Sequence, residues 1–567
     1  MFTKTLIKRT LESNSDVPNT PPTVKQDCSD VVHISVFFDG TGNNKDADED
    51  KKKWSNPARL WRSTDQFIQD SKKLTIAPID HAIYVSGVGT KFNGELSIFE
   101  KPIAHIQDKY GLGAGLGAGG TRRLDYGEDQ LNDALKQVMI FNAKKAEINV
   151  GKYANEKKNY SFDEVAKSLK EHRLIKKINI STFGFSRGAA LARAFTNQFM
   201  WECEPDCNGL TYGSGKYPIE FKFMGLYDTV ASFGLPATNL NNNLTFEGRD
   251  MVIDERVKMC VHHIAGNELR FAFPVDLIHK ENGGIANSNW KEIVYPGMHS
   301  DVGGGYAPGS QNVNDNYARI PLKDMLEDAV NAGVRMYDYN QLQEKHIKIF
   351  QQQFEIQPET QRLYNAVSAQ AQSGGKIQDK IIAAMKVYYS AYGTLASNET
   401  ASISQQARSG LGSKVTDTLL FWSPRDMATE ISRLKSLKKF TAPKPDGGFN
   451  IFRVLSPVSK AYEFTIGVDD WEFESWETVA DQDVQDFYQN FIHDSKHGFL
   501  LNAEPFSYFR QRTVYESRRS GKGKEIDEKV AEDKAVCSVV NREVSNEELF
   551  DAYKQAQQNE QLSASLS

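Results

Sequence analysis

The chain alternates short apolar runs with longer stretches in which apolar and polar positions mix. Residues 31–38 (VVHISVFF) hold six β-formers and end on the turn Asp39-Gly40-Thr41-Gly42. Comparable strand-like runs occur at 81–90 (HAIYVSGVGT), 176–185 (KKINISTFGF), 219–230 (IEFKFMGLYDTV) and at the start of 290–306 (WKEIVYPGMHSDVGGGY). Between them, DQLNDALKQVMIF, the alanine-rich RGAALARAFTNQFM and 253–269 (IDERVKMCVHHIAGNEL) read as helices. This alternation predicts an α/β fold with a mostly parallel sheet and helices on both faces. In such sheets, sites form beyond the carboxyl ends of the strands. Past residue 320 the pattern turns mainly helical, and the last stretch carries aromatic-rich pieces, WEFESW and FSYFRQRTVYES, expected to pack back on the sheet.

Composition narrows the classes. The chain has 567 residues, 25% charged and 40% hydrophobic, which excludes a disordered or fibrous protein. A net charge of −6 argues against holding nucleic acid or anionic membrane by bulk electrostatics. Five scattered cysteines make no disulfide framework; Cys203 and Cys207, four apart, read as buried thiols, a pair or metal contacts, and a zinc site would want more ligands nearby. The N-terminal stretch has no apolar run of signal-peptide length, and no segment reaches a membrane span. The expectation is a chain made in the cytoplasm and, if it works elsewhere, carried there by another route.

Three motifs fail on inspection. Asp46-x-Asp48-x-Asp50 hints at a calcium loop, but Lys51 stands where glycine is needed and Pro57 where glutamate is. The glycine-rich stretch 111–120 contains G-x-G-x-x-G without a good strand before it, so it reads as a connection to the next helix. The turn after residue 38 resembles Asp-x-Asp-x-Thr, but Phe37 occupies the nucleophile's place.

Gly184-Phe185-Ser186-Arg187-Gly188 is different. It is G-x-S-x-G between a β-rich run and an alanine-rich helix, the setting of a nucleophile elbow. Gly184 and Gly188 support the tight turn, and Ser186 becomes the candidate nucleophile. A serine hydroxyl needs a base held by a third group. Asp228, ending the strand-like run 219–227, is the candidate acid; its bland alternative is a turn or helix cap. His299 follows the run at 290–295 and is the candidate base. His262 and His263 fall within the expected helix, His279 precedes a loop, and His346 sits in a charged helical segment. His493 and His497 are the rivals, with an Asp and a Ser beside His493. Asp301 is a candidate orienter of its loop. The oxyanion donors would be the N–H of Arg187 and one from Gly40 or Thr41.

The ordered set FDGTGNN (38–44), YVSGVGT (84–90), GFSRGAALAR (184–193), GLYDTV (225–230) and YPGMHSDVGGGY (295–306) resembles the α/β-hydrolase domain of type VI secretion phospholipase effectors, in particular their first group with the G-x-S-x-G serine. FIHDS and YFRQRTVYES are similar to that group's C-terminal part. The resemblance implies a Ser186–Asp228–His299 triad and phospholipase A activity at sn-2 or sn-1. It also implies delivery by a secretion spike protein to a rival's periplasm and a cognate immunity protein. No cofactor, metal or nucleic acid is expected, and membrane phospholipid is the expected substrate. The resulting partition is a polar leader (1–30), an α/β-hydrolase catalytic domain (31–345), a mainly helical lid or membrane-docking region (346–460) and a C-terminal segment packing on the catalytic domain (461–567). Within the third part, 380–392 is either a core helix or a lipid-facing one. A serine esterase acting on soluble esters is the alternative activity, and a non-enzymatic spike-binding module is a third reading.

Overall fold

The computed structural model describes residues 30–74, 78–90, 118–154, 160–169, 174–206, 209–231, 251–270, 272–280, 284–397, 469–496 and 508–517, with isolated positions at 172, 427–428, 430–432, 434–435 and 554. In chain order its strands are β1 (Val31–Phe38), β2 (Asp80–Val85), β3 (Lys177–Phe185), β4 (Glu204–Asp206), β5 (Gly209–Tyr212), β6 (Tyr217–Tyr227), β7 (Met259–Ala265), β8 (Val275–Lys280), β9 (Lys291–Tyr295) and β10 (Val514–Ser517). Its helices are α1 (Asn56–Leu74), α2 (Ala118–Lys145), α3 (Phe162–Ser168), α4 (Arg187–Trp201), α5 (His299–Gly303), α6 (Arg319–Asn331), α7 (Tyr339–Lys345), α8 (Ile347–Gln353), α9 (Pro358–Gln370), α10 (Ile377–Ser397), α11 (Asp470–Glu477) and α12 (Gln482–Phe491).

Six strands run parallel in the order β2-β1-β3-β6-β7-β9, and the antiparallel pair β4–β5 continues from the start of β6. Parallel strands covered on both faces carry apolar residues on both sides. Alternate residues of β1 divide accordingly. Phe37 joins Phe183, Phe223 and Tyr227 in one core, while Val36 and Phe38 join Ile180, Met224 and Leu226 in the other. The Phe37 and Phe183 rings stack at 4.7 Å, both fully buried.

The pairing register aligns the strand ends. Phe38 lies opposite Gly184, Phe185 opposite Tyr227, Tyr227 opposite His263, and Ala265 opposite Tyr295. The chain therefore leaves β1, β3, β6, β7 and β9 along one edge. The sheet's strand order also reverses between β1 and β3, which marks that edge as the place for a site.

The mostly parallel α/β architecture agrees with the sequence pattern, but 253–269 does not form a helix. Asp254 binds Arg256 through its backbone N–H and its guanidinium, which closes a turn, and Met259–Ala265 is then strand β7. A strand buried on both faces shows no period-two alternation, so its apolar run imitates a buried helix.

Helix α10, which contains 380–392, buries Ile381, Ala384, Met385, Tyr388, Tyr389 and Ala391 and packs against α11, α12 and β9. Its apolar face is thus part of the interior. Most of the glycine-rich stretch 111–120 and residues 398–415 lie outside the described residues. β10 pairs in parallel with β8 in a separate two-stranded sheet. Among the described residues no helix is long and apolar enough to cross a membrane.

Candidate active site

Between β3 and α4 the chain turns on one residue. Ser186 has φ 59° and ψ −127°, a conformation that ordinary residues adopt only under strain. The surroundings hold it there. Its N–H donates to Tyr227 O at 2.9 Å, and its carbonyl accepts from Ala189 N at 3.0 Å and Val230 N at 3.3 Å. The side chain makes no capping bond to the helix it precedes. Glycines make the turn feasible. A Cβ on Gly184 would lie 2.4 Å from Gly188 O, and one on Gly188 would lie 2.3 Å from Asp39 O.

Asp228 leaves the neighbouring strand directly after Tyr227, also with positive φ (44°). Its N–H donates to His263 O at 2.7 Å. The fully buried carboxylate accepts at Oδ1 from Ala265 N (2.9 Å) and meets His299 Nδ1 through Oδ2 at 2.5 Å. Burial alone would raise this carboxyl, but Arg512 and then His299 hold it well below the usual carboxylate range.

His299 opens α5, four residues after β9. With Nδ1 donating to Asp228, Nε2 is the ring nitrogen left to act as base. Its backbone N–H donates to Glu268 Oε2 at 3.1 Å. The imidazole packs against Phe185, the residue before Ser186, with ring centroids 4.6 Å apart, and Phe273 meets it edge-on at 4.9 Å. Burial lowers the His299 pKa below its ordinary value; Asp228 opposes that shift and Arg270 adds to it. Glu268 is itself held down to about 2, against its burial, by Arg270, whose Nε and Nη2 reach its two oxygens at 2.9 Å.

The other histidines have different partners. His493 Nδ1 lies 2.6 Å from Asp301 Oδ1, and its ring stacks on Tyr306. Asp301 Oδ2 accepts the N–H groups of Met298 and His493. Asp301 thus ties the loop carrying His299 to the segment after α12. His262 and His279 both meet Glu292, His262 also accepts from Thr229 N at 3.0 Å, and His346 meets Asp70. His262 and His263 stand on strand β7 and not on the expected helix. His497 lies outside the described residues.

The turn after β1 lies against the elbow. A Cβ on Gly40 would come 2.4 Å from the Phe185 ring. The buried Asp39 carboxylate accepts from Gly40 N (2.7 Å), Ser55 Oγ and Tyr84 OH. Burial raises it to about 6 against those three bonds. Gly40, one of the two expected loop donors, gives its N–H to Asp39 in this structure. Gly42 N donates to Val88 O and Asn43 N to Gly40 O. Thr41 N has no acceptor among the described residues, and Thr41 Oγ1 accepts from Arg187 Nε at 2.5 Å. Thr41 N–H and the first amide of α4, that of Arg187, are the remaining candidates for the oxyanion donors.

One feature was not foreseen from the sequence. Arg512 places Nη1 2.7 Å from Asp228 Oδ1 and Nη2 2.7 Å from Oδ2. Arg512 lies in YFRQRTVYES, one of the stretches that carry the resemblance, but nothing local to that stretch assigns it a partner 284 positions back; its place just before β10 brings it there.

A strained serine, a carboxylate-held imidazole and backbone donors at one sheet edge are the parts of an acyl-transfer site. A family model described as the catalytic domain of Tle1-like phospholipase effectors of the type VI secretion system matches residues 208–328, the stretch that contains Asp228 and His299. The motif resemblance read from the sequence is borne out there. A crystal structure of an uncharacterized protein from Pseudomonas aeruginosa is similar, with 20% identity and a TM-score of 0.56, covering 91% of this chain and 82% of that one. That likeness concerns the fold. The Tle1 effector bound to the VgrG spike of the type 6 secretion system is 18% identical over 63% of this chain and 84% of that one; its TM-score of 0.34 is too low to carry an argument. No curated protein matches the chain.

Proposed function

We propose that the chain is a serine phospholipase A acting as an antibacterial type VI secretion effector. The observation that carries this reading is the His299–Asp228 pair at 2.5 Å, on the strand edge where Ser186 stands in its strained turn. The match of 208–328 to a phospholipase effector catalytic domain supplies the substrate class.

His299 Nε2 takes the Ser186 proton as Oγ attacks the acyl ester carbonyl. The Arg187 and Thr41 amides stabilise the oxyanion where charge develops. The imidazolium, steadied by Asp228, returns its proton to the leaving lysophospholipid oxygen. Water then attacks the acyl-enzyme with the same base, releasing a fatty acid and restoring Ser186. Burial of the acid–base pair suits this role, because a neutral imidazole is ready to accept a proton at neutral pH. Delivery by a spike protein, action on membrane phosphoglycerides in a target-cell periplasm and protection by an immunity protein complete the proposal.

Ser186→Ala should abolish fatty-acid release from phosphatidylethanolamine and phosphatidylglycerol vesicles while its circular dichroism matches the parent chain. Undiminished release by the variant would end the serine mechanism. Faster turnover of monomeric short-chain esters than of vesicles would move the assignment to a soluble-ester esterase. Toxicity restricted to periplasmic expression, and dependent on Ser186, would support the effector role.

A further inference from the structure

Arg512 lies just before β10, which pairs with β8, and Val275 N donates to Thr513 O at 3.0 Å. From that anchored position the guanidinium reaches the sheet edge with every nitrogen engaged. Nη1 donates to Asp228 Oδ1 and to Ala265 O (2.8 Å), Nη2 to Asp228 Oδ2, and Nε to Phe273 O (3.0 Å). The residue is only 4% exposed. A planar guanidinium matched to both oxygens fixes the rotation of the carboxylate as well as its position.

We propose that Arg512 is a positioning residue of the catalytic triad, carried in beside the C-terminal strand, which aims Asp228 Oδ2 at His299 and keeps the carboxylate ionised. This rests on the serine-hydrolase reading given above. Two physical needs meet here. A fully buried carboxylate favours its protonated form, and a protonated Asp228 would no longer stabilise the imidazolium. Without the guanidinium, Ala265 N–H alone would hold Oδ1 from the main chain, leaving the carboxylate freer to rotate about its last bond and off its line to Nδ1. Arg512 answers both, and its cation reduces the negative field felt by His299. The site is therefore complete only when the 508–517 segment is docked.

The charged groups around His299 are Asp228, Glu268 and Arg270, with Arg512 behind Asp228. Arg512 also faces Asp276 and Glu268, and Asp301, two residues after His299 on α5, is paired with His493. Removing one cation from this set raises the macroscopic pKa of the Asp228–His299 pair. The acid limb of kcat/KM then moves to higher pH, a change that loss of packing alone does not produce.

The test uses the full chain, a short-chain phosphoglyceride, fluorophosphonate labelling of Ser186 and circular dichroism, for the parent, Arg512→Gln and Arg512→Lys. For folded Arg512→Gln we expect kcat to fall about 100-fold with KM little changed, and the acid limb to rise by about one pH unit. Arg512→Lys keeps the cation without the fork. Its acid limb should stay near the parent's while kcat falls by about tenfold. A folded Arg512→Gln with the parent's pH profile and kcat would overturn the proposal. If the glutamine variant fails to fold, the lysine variant decides, and parental kcat in it would overturn the proposal. Failure of both to fold would make Arg512 a residue of the fold and withdraw the positioning role. An inactive parent chain whose Ser186 resists the probe would instead overturn the hydrolase reading beneath it.

Discussion

Gly188→Ala tests how the elbow and the turn after β1 are joined. The added Cβ would lie 2.3 Å from Asp39 O, 2.4 Å from Phe38 O and 2.8 Å from Asp39 C. Ordinary carbon contacts begin near ~3.5 Å, so the overlap is roughly 1 Å against backbone that has no rotamer to change. The end of β1 cannot easily yield. Phe38 is paired to β3 at Gly184, and Asp39 N donates to Val85 O at 2.9 Å. Relief has to come from shifting the start of α4 or the turn at 39–41. Either movement separates the Arg187 and Thr41 amides that the proposed mechanism aims at one oxyanion. Overpacking of this kind costs about 1–3 kcal/mol of stability. Loss of one aligned oxyanion donor lowers kcat by about 100- to 1,000-fold. Urea denaturation measures the first, and steady-state release of fatty acid from a short-chain phosphoglyceride measures the second, with KM expected to change little. A variant with kcat within about threefold of the parent would show that the two loops do not share the oxyanion, whatever happens to its urea midpoint.

Two further outcomes follow from other parts of the molecule. His299 titrates below its ordinary value of 6.5 because it is buried, so the neutral base persists as pH falls, and kcat/KM should hold its plateau below pH 6.5; a limb centred above about pH 7 would contradict the electrostatics described for this site. Phe37→Ala removes a fully buried ring stacked on Phe183 and should lower the unfolding free energy by about 3–5 kcal/mol in urea titrations, whereas a loss under about 1 kcal/mol would mean that the core beneath the elbow is not packed as described.

Much of this protein is legible from local sequence because the underlying requirements are local. Six β-formers in eight residues suit a doubly covered strand, and Val31–Phe38 is one. A serine forced to φ 59° needs small neighbours within its own turn, so Gly184 and Gly188 mark Ser186 without reference to distant parts of the chain. Asp228 and His299 were readable because each follows a recognisable strand, and parallel strands leave their sheet along a common edge.

Other features depend on which distant groups meet. Met259–Ala265 looks helical until the sheet supplies neighbours on both sides, for its composition has no period of its own. His493 and His299 are both imidazoles beside carboxylates, and only the loop paths direct one to Asp301 and the other to Asp228. Gly40 suits an oxyanion loop, yet the side chain beside it takes its N–H. Arg512 lies in a stretch that carries the resemblance, yet its partner cannot be read there, because the pairing of β10 with β8 is what brings it to Asp228. The sequence by itself determined the strained turn and the strand that presents it, since steric requirements within a few residues decide them; the tertiary structure alone decided the partners of each charge, since hydrogen bonding between buried groups depends on position in space and not on separation along the chain.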